Sequence, residues 1–397
     1  MSAVPRHRPQ PGLALLSAGF RPFFLLSALW SALAIPLWLI FFTAASVLPS
    51  ILPPVVWHVH EMVFGFGAAT VAGFLLTAIP QWTGRRPLRG APLACLTLLW
   101  IFGRVGVLMS TRLGAADAAF LDLAFPIVFL GFVGREIAAG RNWRNLPIVA
   151  ALAFLLVGNL LVHFNAAGVS ATAEIGNRLG VATLLMLISV VGGRIIPSFT
   201  RNWLARERPD IPPPGVFGGV DRAALILTAL ALALWVLAPA SRATPWAALA
   251  AGLAHGVRLA RWRGFATLRE PLLWVLYLGY GWLALGFLLL ALSGAVALLP
   301  QTAALHALTA GAIGTMTLAV MTRATLGHTG RPLAAGPGTT AIYALITLAA
   351  VLRLFAPLAQ ADYLFVLSLA GAAWTGAFGL FALIYARPLI LPRPQPI

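Results

Sequence analysis

The sequence predicts an all-α polytopic membrane protein of about twelve transmembrane helices, arranged as a threefold pseudo-repeat of four. Three observations carry that expectation. The chain of 397 residues is 60% hydrophobic and only 9% charged, with mean hydropathy +0.91; a soluble domain is roughly 25% charged. Its apolar runs recur near the ~20 residues that cross a ~30 Å hydrocarbon core. Its arginines gather in alternate connections between those runs, the pattern that membrane topology produces.

The twelve spans, in order, are residues 22–42, 57–80, 91–110, 117–134, 146–165, 176–197, 221–239, 244–260, 271–293, 301–326, 339–356 and 363–386. Proline or glycine punctuates most joints: Pro53-Pro54, Gly90 with Pro92, Pro147, Pro212-Pro213-Pro214, Pro271, Pro300 and Gly336-Pro337-Gly338. Spans 7 and 8 are Ala-rich runs that either cross or re-enter. The N-terminal stretch lacks a compact signal peptide with a small-residue cleavage site, so the first span reads as a retained anchor. The whole chain, 1–397, reads as a single membrane domain in contact with the lipid bilayer.

Orientation follows from the arginines. One set of connections holds Arg85, Arg86, Arg89, Arg135, Arg141, Arg144, Arg201, Arg206, Arg208, Arg258, Arg261, Arg263, Arg269 and Arg331. Arg6, Arg8, Arg21, Arg387 and Arg393 add both termini to it, and the opposite set holds only Arg112, Arg178 and Arg242. Both termini are therefore expected in the cytoplasm, with His58 and His60 near the outer face. The net charge of +17 does not signal nucleic acid, because the arginines lie singly or in small groups between apolar runs. The single cysteine, Cys95, excludes a disulfide framework and a cysteine metal cage. There is no Walker loop, dinucleotide fingerprint, Cys-x-x-Cys or zincin motif.

A repeat shows in the spacing. With His60 laid over His306, Gly65 falls on Gly311, Ala78 on Ala324, Thr83 on Thr329, Gly84 on Gly330 and Arg85 on Arg331. With Asn177 laid over His60, Ile79-Pro80 meets Ile196-Pro197 and Thr83 meets Thr200, while Arg194 falls on Arg323. These are spans 2, 6 and 10, the second of each group of four. The expected repeats are 13–140, 141–265 and 266–393.

Histidines inside a membrane span are costly and usually partnered. His60 and His306 share depth, direction and repeat position, so they are candidate axial ligands of one haem, a b-type haem being the simplest case. Gly65 and Gly311 would let helices flank a flat macrocycle; the alternatives are small-residue helix packing and a buried hydrogen-bonded histidine pair. Residues two apart on a helix point about 200° apart, so His58 and His60 do not ligate one metal on a regular helix. His58, His163 and His328 are candidate metal ligands, His328 competing with a loop or capping role. Glu61 neighbours both histidines and is a candidate proton carrier, or else an interfacial carboxylate favoured by the helix dipole. Arg194 and Arg323 snorkel by default; their equivalent places leave room for an anion or quinone head group.

Five stretches identify a resemblance: "GFRPFFLL", "WHVHEMVFGFGAATVAGFLLTAIPQWTGRRPLRG", "GGRIIPSFTRNWL", "RWRGFATLREPLLWVLYLGYGWLALGF" and "LHALTAGAIGTMTLAVMTRATLGHTGRPL". Together they resemble the NnrS family over nearly the whole chain. The resemblance implies a bacterial inner-membrane protein tied to nitric oxide, nitrosative stress and denitrification, containing haem and copper. A looser likeness is to the haem–copper oxidase catalytic subunit, another twelve-helix protein with haem histidines on spans 2 and 10. Span 6 here has Asn177 at the repeat position and span 7 has no histidine, so the usual binuclear centre cannot be built in the same places. Three functions stay open. The first is a haem-dependent oxidoreductase or binder of nitric oxide, fed by a quinol or a periplasmic electron donor. The second is a transporter of haem, copper or a nitrosyl-metal species. The third is a non-catalytic sensor or scaffold.

Overall fold

Helices start where proline removes an N–H that has no intrahelical partner anyway. In the computed structural model, which describes residues 13–43, 48–294, 296 and 299–393, Pro54, Pro92, Pro147, Pro271 and Pro337 each sit in the first turn of a long helix. Arg6 and Arg8 of the topology argument lie outside the described residues. Twelve long helices result: α1 (Phe20–Thr43), α2 (Pro54–Thr83), α3 (Ala91–Leu108), α4 (Ala115–Ala139), α5 (Leu146–Ala166), α6 (Ala173–Glu207), α7 (Gly219–Leu237), α8 (Ala243–Ala260), α9 (Pro271–Ser293), α10 (Gln301–His328), α11 (Pro337–Phe355) and α12 (Tyr363–Ile390). No strand occurs among the described residues. That is the expected outcome in lipid, where a helix satisfies its own backbone polar groups.

Eleven of these helices are long and apolar enough to cross a membrane. The exception is α8, whose Ala-rich sequence also carries His255 and Arg258, both fully buried. It is packed between α7 and α9 like any other member of the bundle. The sequence reading placed a span there and left crossing or re-entry open; the helix forms, with lower hydropathy than its neighbours. The largest boundary difference is at α6, which runs on past residue 197 to Glu207 because Pro197 is accommodated inside it.

Neighbours in the chain pack as neighbours in space: α3 on α4, α5 on α6, α7 on α8, α11 on α12. α4 also meets α5, α8 meets α9 and α12 returns to α1. Helices α2, α6 and α10 line one apolar cleft, through Gly67, Phe74, Leu184, Ile188, Met316 and Val320 among others. Where α5 crosses α6 the backbones nearly touch, since a Cβ on Gly158 would stand 2.8 Å from the Gly176 carbonyl oxygen. The outward face is apolar, with Phe120, Leu237, Trp246 and Leu383 largely exposed, as lipid contact demands.

Two helices are irregular at matching places. After His60, residues Glu61–Gly67 of α2 form a π-helical segment; after His306, residues Ala307–Gly314 of α10 form another. π-segments are rare and concentrate at functional sites. The three threonines aligned by the sequence do different work. Thr83 and Thr329 bond back to the carbonyls of Ile79 and Thr325, while Thr200 reaches the Tyr277 hydroxyl at 2.7 Å.

Candidate functional site

The widest polar constellation in the bundle is assembled from α2, α3, α4 and α5. His60 closes the regular part of α2, and Glu61 opens the π-segment beside it. His60 and Glu61 are fully buried, and Arg104, Asp122, Asn159 and His163 nearly so. Every member is held by another. His60 Nδ1 lies 2.9 Å from Glu61 Oε1, and His60 Nε2 lies 2.8 Å from Asn159 Oδ1. Arg104 donates from Nη1 to Glu61 Oε2 at 2.7 Å and from Nη2 to Asp122. Asp122 Oδ2 accepts from Asn159 Nδ2 at 2.8 Å and sits 2.9 Å from His163 Nε2.

A buried charge is tolerated only when paired and hydrogen-bonded. Here two carboxyl groups face one guanidinium, so the cluster is short of one positive charge. A proton on a histidine or a bound cation supplies it. His60, Asp122 and His163 each offer a ligand atom, all within 4.8 Å of one another. Gly65 makes the closure of this cluster feasible. A Cβ there would stand 2.8 Å from Arg104 Nη1, 2.9 Å from Glu61 Oε2 and 2.9 Å from Trp30 Nε1. The indole of Trp100 donates to the Gly65 carbonyl at 3.1 Å, and its ring lies under the Arg104 guanidinium.

A second constellation lies on the other side of α2. His58 stacks on Trp38 of α1, with ring centroids 4.2 Å apart and planes 25° from parallel. His306 is within electrostatic reach of His58, and both are within reach of Arg353 on α11. The His306 Nδ1 proton is directed to the Thr302 carbonyl at 2.7 Å. That tautomer leaves the Nε2 lone pair free, the arrangement that prepares an imidazole to ligate a metal. Three buried nitrogens here have no hydrogen-bond partner: His58 Nδ1, Arg353 Nη1 and Trp38 Nε1.

The expected pairing of His60 with His306 is thus not the grouping the side chains make. Both ring nitrogens of His60 are engaged, by Glu61 and by Asn159 of α5; His306 bonds to the Thr302 carbonyl and is within electrostatic reach of His58 and Arg353. The physical reason is the helical turn of about 100° per residue, which sends His58 and His60 to opposite neighbours. His163 joins His60 and Asp122 rather than His58 or His328. His328 packs at a tilt on Phe20, with centroids 5.5 Å apart and planes 38° from parallel. Gly65 and Gly311 are each covered by protein side chains, Gly311 by the Trp282 ring at 2.6 Å from a notional Cβ. Neither offers an open face to a macrocycle. Arg323 lies 4.2 Å over the Phe199 ring and Arg194 reaches Asn145 Oδ1 at 3.5 Å, so both have protein partners.

Sequence reasoning passed over Arg104, Asp122, Asn159 and Arg353. The signal was present, because an ionisable residue inside an apolar run marks a functional or structural site by default. It also passed over a third buried network on α6, α7, α8 and α9. There Arg258 donates to Asp221 at 2.8 Å, to the Ser189 carbonyl at 2.8 Å and to the Tyr280 hydroxyl at 2.6 Å. Tyr280 and Thr228 hold the two nitrogens of His255 at 2.9 and 2.8 Å. Its bonds tie four helices together, which suits a structural role.

Comparison with known proteins adds one finding. A family model described as NnrS protein matches residues 14–393. No curated protein matches the chain.

Proposed function

The chain belongs to the NnrS family, and from that premise we propose that it is a haem-binding membrane protein acting in nitric oxide metabolism or nitrosative-stress defence. His58 and His306 are the residues that would hold the haem iron. One observation carries this reading: of the imidazoles on α2 and α10, His58 has an unpartnered buried Nδ1 and His306 has its Nε2 freed by the Nδ1 bond to Thr302. Buried polar atoms without partners are rare in native proteins and ask for a missing group. Haem bound between the two would supply one-electron chemistry and a place for nitric oxide.

The chain's own residues do the rest. Trp38 holds the His58 ring by stacking on it. Thr302 fixes the tautomer and orientation of His306. The π-segments that follow His60 and His306 sit where the two helices begin to converge on α6. A second metal, copper by family resemblance, would be held by Asp122, His163 and His60 Nε2, the last given up by Asn159, while Glu61 keeps the His60 ring oriented through Nδ1. Electrons would come from a quinol or a periplasmic donor, and the inner membrane with cytoplasmic termini is the setting the arginine bias supports.

The test is spectroscopic. Purified protein should show a low-spin haem spectrum when reduced, altered by nitric oxide, with metal analysis alongside. His58→Ala and His306→Ala should each abolish the low-spin signal, and His60→Ala should retain it. Loss in His60→Ala with retention in His58→Ala would return the ligand pair to His60 and His306. A wild-type protein with no haem refutes the proposal.

A further inference from the structure

The arginine opposite the two histidines has no counter-ion. Arg353 is half-buried near the end of α11, and Nη1 is buried without a hydrogen-bond partner. Among the described residues no carboxylate lies within ion-pair distance of it. The Tyr363 hydroxyl, His58 and His306 are within electrostatic reach of it, and the Gln301–His306 segment of α10 packs on α11. The three other buried arginines among the described residues are all held: Arg104 by Glu61 and Asp122, Arg258 by Asp221, the Ser189 carbonyl and Tyr280, and Arg21, which has no acid, by the carbonyls of Pro388, Leu389 and Leu391.

A guanidinium does not deprotonate in proteins, so a buried one without an acid leaves a full charge uncompensated. It also carries a rigid fork of donors that matches a carboxylate or a related oxyanion. The indole N–H of Trp38, which stacks on His58, is buried and equally unpartnered. Snorkelling to the interface would leave the guanidinium in water, yet Nη1 is closed off from solvent. Nor is the arginine part of the topology pattern, since it lies at the end of the bundle where few arginines are found.

We infer that Arg353 is the anion-binding element of the His58–His306 site and receives a carboxylate-type oxyanion through its free Nη1. The inference rests on the haem reading for one of its two sources. The anion is either a carboxylate side group of the macrocycle or a free small oxyanion that enters beside it. Arg353 acts as a positioning residue in the first case and as a ligand-binding residue in the second.

The experiment uses purified full-length protein, wild type against Arg353→Gln and Arg353→Lys. It measures haem retained per chain, the haem midpoint potential, and the shift of the oxidised spectrum on adding sodium nitrite or sodium formate. Thermal stability with and without formate is followed in parallel, and needs no haem. If the macrocycle supplies the anion, Arg353→Gln loses haem or lowers the potential, because a cation near the iron favours the reduced state. The drop should approach the 59 mV of a tenfold change in a one-electron equilibrium; Arg353→Lys should recover part of it, and neither salt should act on wild type. If a free oxyanion is the partner, nitrite or formate shifts the wild-type spectrum or melting point, and Arg353→Gln weakens that response at least tenfold. The inference is overturned if Arg353→Gln matches wild type in haem content, potential and response to both salts. A wild type without haem defeats the haem reading alone, and the formate-dependent stability then decides the anion site by itself.

Discussion

Removing the positive charge of Arg104 tests whether the cluster on α2, α3, α4 and α5 is a closed ionic network. Arg104→Gln strands two carboxyl groups that the guanidinium now holds, Glu61 at 2.7 Å and Asp122 through the other nitrogen. Breaking a buried ion pair by deleting one partner costs about 3–5 kcal/mol. Two pairs are broken here, yet the sum is not doubled. Glu61 keeps His60 at 2.9 Å, and Asp122 keeps Asn159 at 2.8 Å and His163 at 2.9 Å. The guanidinium's position over Trp100, 5.9 Å from the ring centre, adds about 0.5–2 kcal/mol. The expected loss is therefore about 3.5–7 kcal/mol. Graded SDS in mixed micelles, followed by tryptophan fluorescence, reads it out. The second arm is the double variant. Glu61→Gln removes one stranded carboxylate, so in the Arg104→Gln background it should restore about 1–3 kcal/mol, a coupling typical of residues in one network. A loss below about 1 kcal/mol for Arg104→Gln, or purely additive effects in the double variant, would show that these charges do not depend on one another.

Gly65→Ala should destabilise by about 1–3 kcal/mol in the same assay, because its Cβ must displace Arg104, Glu61 or Trp30, all within 2.9 Å of it. Thr322→Ala should cost about 1–3 kcal/mol by stranding the buried Tyr343 hydroxyl that it meets at 2.6 Å, and Tyr343→Phe added to it should recover most of that loss. Asp122→Asn and His163→Ala should each lower bound copper or zinc in metal analysis of purified protein while leaving the haem spectrum intact; unchanged metal content would make the cluster purely structural. Reporter fusions after Leu299 and Leu333 should report opposite sides of the membrane, periplasmic for the first and cytoplasmic for the second, and the reverse result would overturn the orientation.

Composition alone determined the class of this protein. A chain so apolar cannot leave backbone groups unpaired in lipid, so it folds as helices, and proline and glycine at the joints mark where those helices begin and end. The spacing that aligns His60 with His306 also singled out α2 and α10, and in the structure a π-segment follows each of these histidines. What the sequence did not decide was partnership. His58 and His60 are two residues apart and equally plausible as ligands, and nothing local separates them. The separation comes from what each meets after a turn of about 200°. On one side stand Trp38, His306 and Arg353; on the other stand Arg104, Asp122, Asn159 and His163, contributed by three further helices. Those neighbours are fixed by how the helices pack, through contacts such as the near-touching backbones at Gly158 and Gly176. Helix packing joins residues far apart in the chain, so only the tertiary structure could tell an imidazole saturated with hydrogen bonds from one left open for a ligand.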